Sequence, residues 1–175
     1  LGANTTASNS TAVGKGALTA STGAFNTAVG SISATAVTAG ARNTALGYGA
    51  LQTDTQGSRA TALGFNALGN QNFTSATDSY NVGIGYDAGG ALTTGQFNTF
   101  VGSLSGDANT TASGNSSLGY SSLSGNTTGE FNAAVGREAM EANTEGSNNT
   151  ALGFRALEAD TKGSHSTAIG RQALT

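Results

Sequence analysis

The chain has 175 residues and a net charge of −3, with 27 glycines, no proline and only 10% charged side chains. Disordered chains usually carry more charge or more proline than this. The sequence has no basic patch, no cysteine, and no apolar run near the roughly 18 residues that indicate a membrane span. Composition therefore argues against nucleic-acid binding, direct membrane insertion, disulfides and thiolate metal sites.

A triplet of a small residue, an aliphatic residue and glycine recurs from Ala12-Val13-Gly14 to Ala168-Ile169-Gly170. Positions in each repeat are counted here from its anchor glycine, so the aliphatic residue is at −1. Successive anchor glycines are 16, 17, 17, 21, 17, 17, 17, 17 and 17 residues apart. A fixed period of this kind is typical of stacked repeats. The sequence predicts one all-β domain over residues 1–175, a parallel β-solenoid of about ten coils. The anchor glycines are Gly14, Gly30, Gly47, Gly64, Gly85, Gly102, Gly119, Gly136, Gly153 and Gly170.

Each repeat predicts two short strands in chain order. The first is the Asn-Thr-Ala-aliphatic segment at −4 to −1, which has β-branched residues and alternates with period two. The second is the Ala-Leu pair at +3 and +4, and glycines between the segments predict sharp turns. Because Thr at −3 is two residues from the aliphatic, both lie on one strand face. We expect that Thr to point inward or to a corner.

The core of such a coil is thin, since each repeat offers about two large aliphatic side chains. Folding must offset the conformational entropy of every ordered residue. Stacked backbone hydrogen bonds and burial against partner chains are the available sources, so we expect an obligate oligomer. Neither end has an evident capping element, and solenoids need caps. We therefore expect that the chain is excised from a longer fibre.

The repeat resembles the head repeats of YadA-type trimeric autotransporter adhesins and the repeats of some bacteriophage tail fibres. The residues that carry the resemblance include Asn43-Thr44-Ala45-Leu46-Gly47 and Asn149-Thr150-Ala151-Leu152-Gly153, although the period is longer than the usual adhesin repeat. The resemblance implies a left-handed β-roll assembled from identical chains as a homotrimer. It further implies an extracellular rod on a bacterial cell surface or virion that mediates attachment, with a host surface glycan or protein as partner.

Candidate binding residues lie in and beside the one irregular repeat, where four extra residues fall within 70–79. Insertions project from a solenoid and are places where partners bind. The candidates are Asn72, Phe73, Asp78 and Tyr80.

Three further side-chain sets recur in register with the repeat. Asparagines at −4 predict a hydrogen-bonded ladder. Aromatic residues at +1 and −5 predict stacked or interchain packing, with sugar stacking as the functional alternative. Threonines at −3 leave ice binding as an alternative from another class of function.

Catalysis has little support in the sequence, and we predict no enzyme activity, no metal and no cofactor. His165 is the only histidine and stands at a variable repeat position. Glu138, Glu141 and Glu145 share one repeat, and paired carboxylates can hydrolyse glycans. A glycan depolymerase is therefore the enzymatic alternative, although we expect these carboxylates to be solvated.

Overall fold

The computed structural model describes residues 8–175, and this part of the chain is a parallel β-solenoid without helices. Ten strands form one sheet in chain order, one strand per turn, so nine turns separate the first strand from the last. The predicted all-β solenoid with a period of about 17 residues is confirmed. The sheet consists of β1 (Thr11–Val13), β2 (Thr27–Val29), β3 (Thr44–Leu46), β5 (Thr61–Leu63), β7 (Val82–Ile84), β8 (Thr99–Val101), β9 (Ser116–Leu118), β10 (Ala133–Val135), β11 (Thr150–Leu152) and β12 (Thr167–Ile169). A two-stranded parallel sheet pairs β4 (Gly57–Ser58) with β6 (Thr77–Asp78).

Strand register places equal repeat positions beside one another. Ala134 pairs with Ala151, and Val135 pairs with Leu152. The register holds across the irregular repeat, where Thr61 pairs with Val82. Each repeat position therefore becomes a column of side chains along the solenoid.

The predicted second strand is wrong. The Ala-Leu pair at +3 and +4 lies in a turn, and the +4 residue has a positive φ, as in Leu51 (52°) and Met140 (55°). A left-handed backbone costs an L-residue roughly 1–2 kcal/mol. Stacking offsets this cost, because the Met140 amide donates a hydrogen bond to the Ala156 carbonyl of the next coil at 2.9 Å. Apolar character at +4 thus reports burial and not strand structure.

The anchor glycine is needed for close approach between coils. Gly136 has a φ of 133°, and a Cβ added there would lie 2.5 Å from the Gly153 oxygen. The anchor glycines from Gly14 to Gly153 all have a positive φ and face the next anchor glycine in this way. No other residue combines that backbone with that spacing.

The core consists of two buried columns, small residues at −2 and larger apolar residues at +4. One departure shows how tightly the two columns are coupled. Phe100 stands at −2, where Ala is usual, and is fully buried. Gly89 and Gly106 stand at +4, where Leu is usual, and a Cβ on either would meet the Phe100 ring at 2.7 and 2.5 Å. A large residue in one column is therefore matched by small residues in the other.

The asparagine ladder at −4 is confirmed. The Asn98 Oδ1 accepts a hydrogen bond from the Asn115 amide at 2.9 Å, and the Asn115 Oδ1 accepts one from the Asn132 amide at 2.9 Å. The Asn115 Nδ2 donates to the Gly129 carbonyl at 2.8 Å. These side chains are buried, so the ladder satisfies turn groups that water cannot reach.

Candidate interaction surfaces

The outer face of the long sheet carries the threonines at −3 and the aliphatics at −1. The expectation that Thr points inward or to a corner is wrong, since Thr44 and Leu46 are exposed and Ala45 between them is buried. The shared strand face was predicted correctly, but its direction was not. Ala at −2 fits inside because the facing +4 residues fill the narrow coil.

This Thr–aliphatic face is continuous over all ten strands. Nine strand spacings of about 4.8 Å make it roughly 43 Å long. Leu118, on the seventh strand of the sheet, is 51% exposed, although this position is aliphatic in every repeat. Isolated soluble proteins rarely expose apolar patches beyond a few hundred Å². A row of this length is therefore typical of a surface that another molecule covers.

A shallow apolar depression of about 190 Å³ interrupts the Thr–aliphatic face. It forms where Ser116 and Ala133 replace the larger threonine at −3. Val101, Leu118 and Val135 line it from the −1 row. A protruding side chain on an otherwise flat partner surface would fit this depression.

The +1 residues form a column of exposed aromatic rings beside that face. Tyr48, Phe65 and Tyr86 stack with ring centroids 5.2 and 5.4 Å apart and interplanar angles of 13° and 12°. Further along, the Arg137 guanidinium lies 5.7 Å from the Tyr120 ring and 5.8 Å from the Phe154 ring. The predicted stacking is confirmed, and arginine takes the place of a ring in this column.

A shorter aromatic column occupies position −5. Tyr80 and Phe97 stack at 5.6 Å, and the Arg59 guanidinium lies 5.3 Å from the Tyr80 ring. Arg42 lies over Phe25 at 5.6 Å. Both columns therefore present ring edges outward, while most ring faces are covered by their neighbours.

The irregular repeat is folded into the solenoid. Phe73 is only 5% exposed, so it is not available to a partner as predicted. The Asn72 side chain is half-buried and accepts a hydrogen bond from the Thr55 hydroxyl at 3.1 Å. Asp78 forms an ion pair with Arg59 at 2.9 Å, next to exposed Tyr80. Asp78 and Tyr80 remain accessible, and their binding role stays a prediction.

The extra residues are absorbed because they form a second sheet and fill the interior. Strand β6 pairs with β4 of the preceding coil. Buried Gln71 donates to Asp54 at 2.6 Å and accepts from Asn81 at 2.9 Å. Burial raises the pKa of Asp54, and hydrogen bonds from Gln71, Phe73 and Gly57 partly offset that rise.

The carboxylates of the Glu138 repeat are arranged differently from the prediction. Glu138 is buried against the chain and not solvated, and its carboxylate binds Arg155 at 2.6 Å and Arg137 at 2.7 Å. Hydrogen bonds from Arg155 and then Arg137 lower the pKa of Glu138. Glu145 instead pairs with Lys162 at 3.1 Å on the surface.

Glu158 is the member of the acidic group that sequence reasoning missed. Oxygens of Glu138, Glu141 and Glu158 lie within 4.8 Å of one another. The sequence could have indicated this proximity, because Glu158 stands one repeat period after Glu141. Arg137 and Arg155 both pair with Glu138, and Arg155 also pairs with Glu158, so the group is organised as an ion-pair network.

His165 is exposed and lies at position −5 with a φ of 62°. Its backbone amide donates to the Ser147 carbonyl at 3.1 Å. The described residues near it include no nucleophile or carboxylate bonded to its ring.

Comparison with protein-family models, curated proteins and solved structures finds no match to this chain. Within residues 8–175, no helix has the length and apolar character needed to cross a membrane.

Proposed function

We propose that the chain is a structural and adhesive segment of a homotrimeric extracellular fibre that mediates attachment. The observation that carries the proposal is the exposed Thr–aliphatic face, which runs along all ten strands of the sheet. The resemblance to YadA-type head repeats and phage tail-fibre repeats supplies the trimeric order and the extracellular setting, on a bacterial cell surface or a virion.

Association explains why aliphatic residues occupy −1 in every repeat. Burying a side chain of this size is worth about 1.5–3 kcal/mol relative to leaving it exposed. In a single chain Val13, Leu46 and Leu152 are all exposed, so their burial does not contribute to stability. Three chains with these rows facing a common axis would bury them. The depression around Ala133 would then receive a side chain of a neighbouring copy.

The proposed rod is compatible with both a cell-surface adhesin and a bacteriophage tail fibre. The chain that flanks the rod in the natural protein separates them. A membrane-anchor barrel supports the adhesin, and a tail-attachment or chaperone domain supports the fibre.

The mass of the protein in solution, measured by light scattering, tests the assembly. We expect a trimer, and a well-folded monomer would refute the proposal. Replacing Leu118 and Val135 together with Asp should dissociate the trimer, because six carboxylates would be buried at the interface. The matched control is Thr128→Asp with Asn148→Asp, which adds the same charge at exposed positions off the face and should leave the mass unchanged.

Ice binding is a second candidate, favoured by the outward direction of the threonines. Thr44 and Thr61 are in register on neighbouring strands, and both side chains reach the surface. A flat, regular hydroxyl row can order water. Measurement of thermal hysteresis in the wild-type protein tests this function, and its absence would dismiss it.

A further inference from the structure

The aromatic column at +1 has a gap at Ser103. On one side stands Tyr86, whose far face is covered by Phe65 at 5.4 Å. On the other side stands Tyr120, whose far face is covered by Arg137 at 5.7 Å. Each of the two tyrosines therefore has one face occupied by a neighbour and one face directed toward the Ser103 coil. No ring or guanidinium among the described residues covers those two inner faces.

The width of the gap admits one six-membered ring. Tyr86 and Tyr120 are two coils apart, as are Tyr48 and Tyr86, which hold the Phe65 ring between them at centroid distances of 5.2 and 5.4 Å. The gap at Ser103 therefore has room for one ring, in the position that Phe65 occupies between the other two tyrosines.

The polarity of the gap favours a sugar ring as its occupant. Tyr86 is 55% and Tyr120 is 49% exposed, so the two rings stand out from the surface as walls. The Ser103 hydroxyl at the base makes no hydrogen bond to another described residue. Two apolar walls, a hydroxyl base and phenol groups at the rim are suited to a neutral ring that carries C–H faces and hydroxyl edges.

We propose that the gap between Tyr86 and Tyr120 binds one neutral pyranose residue of a surface glycan, held between the two ring faces above Ser103. This inference rests on the proposed attachment role, for which it names the ligand class. The gap lies beside the Thr–aliphatic face and not on it, because the anchor glycine separates the +1 residue from the −1 row.

A second small residue in the +1 column provides a matched control. Ser31 also interrupts the column, but it is flanked by Lys15 and Tyr48. That position offers one aromatic wall, so it should not hold a pyranose on both faces. Ser31→Tyr and Ser103→Tyr make the same chemical change at two sites, of which the first has one aromatic wall and the second has two.

The experiment is saturation-transfer NMR on the intact assembled protein, with methyl β-D-galactopyranoside and methyl α-D-glucopyranoside as probes. We expect saturation of the ring protons of at least one probe in the wild-type protein. Ser103→Tyr should abolish it, because the new ring continues the Tyr48–Phe65–Tyr86 stack through the gap. Ser31→Tyr should leave it unchanged. Tyr86→Ala and Tyr120→Ala should each weaken binding about tenfold or more, since each removes one of two walls.

Absence of saturation with both probes, or equal loss with Ser31→Tyr and Ser103→Tyr, would overturn the pyranose site. Undiminished binding by folded Ser103→Tyr or by both alanine variants would also overturn it. Light scattering on the same samples keeps the two proposals apart. A trimer that binds neither probe would contradict the pyranose site but not the proposed fibre. A folded monomer would contradict the proposed fibre, whether or not it binds a probe.

Discussion

The inner and outer faces of the same short strands are equally regular in sequence but lie in opposite environments. Phe100 is fully buried at −2, whereas its neighbour Val101 is half-exposed at −1. Alanine at −2 packs inside the coil, and the larger aliphatics at −1 point away from it. A regular apolar position in a solenoid thus reports that side chains stack in a column. It does not report whether that column is covered by its own chain.

The largest effect should come from the inner face. Phe100→Ala should lower the free energy of unfolding by about 3–5 kcal/mol, because Gly89 and Gly106 leave nothing to fill the cavity. Adding Gly106→Leu should recover much of the loss, because the three atoms nearest to a Cβ at this position all belong to the Phe100 ring. The φ of 59° at Gly106 is close to those of Leu at +4 in other coils. Denaturant unfolding measures each variant, and failure of the double variant to recover stability would refute the coupling of the columns.

The outer neighbour is the control for that experiment. Val101→Ala should change the unfolding free energy of the single chain by less than about 1 kcal/mol, because the side chain is half-exposed. Its effect should instead be on the association constant. A loss in the dissociated chain as large as that of Phe100→Ala would contradict the contrast between the two faces.

The buried asparagine ladder should give the next largest effect. Asn115→Ala removes the acceptor of the Asn132 amide and leaves that amide buried without a partner, whereas the Gly129 carbonyl keeps the hydrogen bond from the Asn126 side chain. We expect a loss of about 1–3 kcal/mol in chemical unfolding. Ser116→Ala, one residue along and exposed, should stay within about 0.5 kcal/mol. Similar losses from both would show that the ladder contributes little.

A smaller gain is expected at Asn109, a core side chain whose Nδ2 and Oδ1 make no hydrogen bond to a described residue. Leu92 occupies the same column one coil earlier. Asn109→Leu should raise the unfolding free energy by about 1 kcal/mol, since it removes a buried unpaired amide. Asn126→Leu should lower it, because the Asn126 side chain donates to Gly129 and accepts from Asn143. A loss in both variants would contradict this assignment.

The smallest effect should be at the outer surface. His165 has a φ of 62° and an exposed side chain. His165→Gly should raise the melting temperature slightly, by the equivalent of up to about 1 kcal/mol, because glycine adopts this backbone without strain. His165→Ala should not raise the melting temperature. Equal melting temperatures for the two variants would show that the left-handed backbone at this position stores no strain.

Several features could be predicted from the sequence because they repeat in one dimension. Anchor glycines gave the number of strands and their spacing, and the asparagines at −4 gave the ladder. The aromatic columns followed from the same logic of stacking. The compensation around Phe100 could also have been found, since the large residue at −2 and the two glycines at +4 fall in consecutive coils. Taken one at a time, each is only a departure from the repeat, and the compensation becomes visible only when neighbouring coils are compared.

The irregular repeat could not be predicted in the same way. Its extra residues were expected to project, yet Phe73 and Gln71 enter the interior and β6 pairs with β4. Nothing within 70–79 repeats, so there is no stacking signal to show which side chains face inward. The network of Glu138, Glu158 and Arg155 likewise depends on how two neighbouring coils bring their side chains together.

By itself the sequence determined the period, the coils and the columns, since a fixed spacing leaves stacked turns as the arrangement in which like residues meet. Only the tertiary structure decided which columns face inward. Alternation within a three-residue strand fixes that Thr and the aliphatic share a face, but both directions satisfy the pattern. The volume inside the coil determines which face of the strand points inward. The residues at +4 leave room at −2 for Ala, or for one Phe opposite two glycines, and the larger aliphatics at −1 remain outside, where a second chain can cover them.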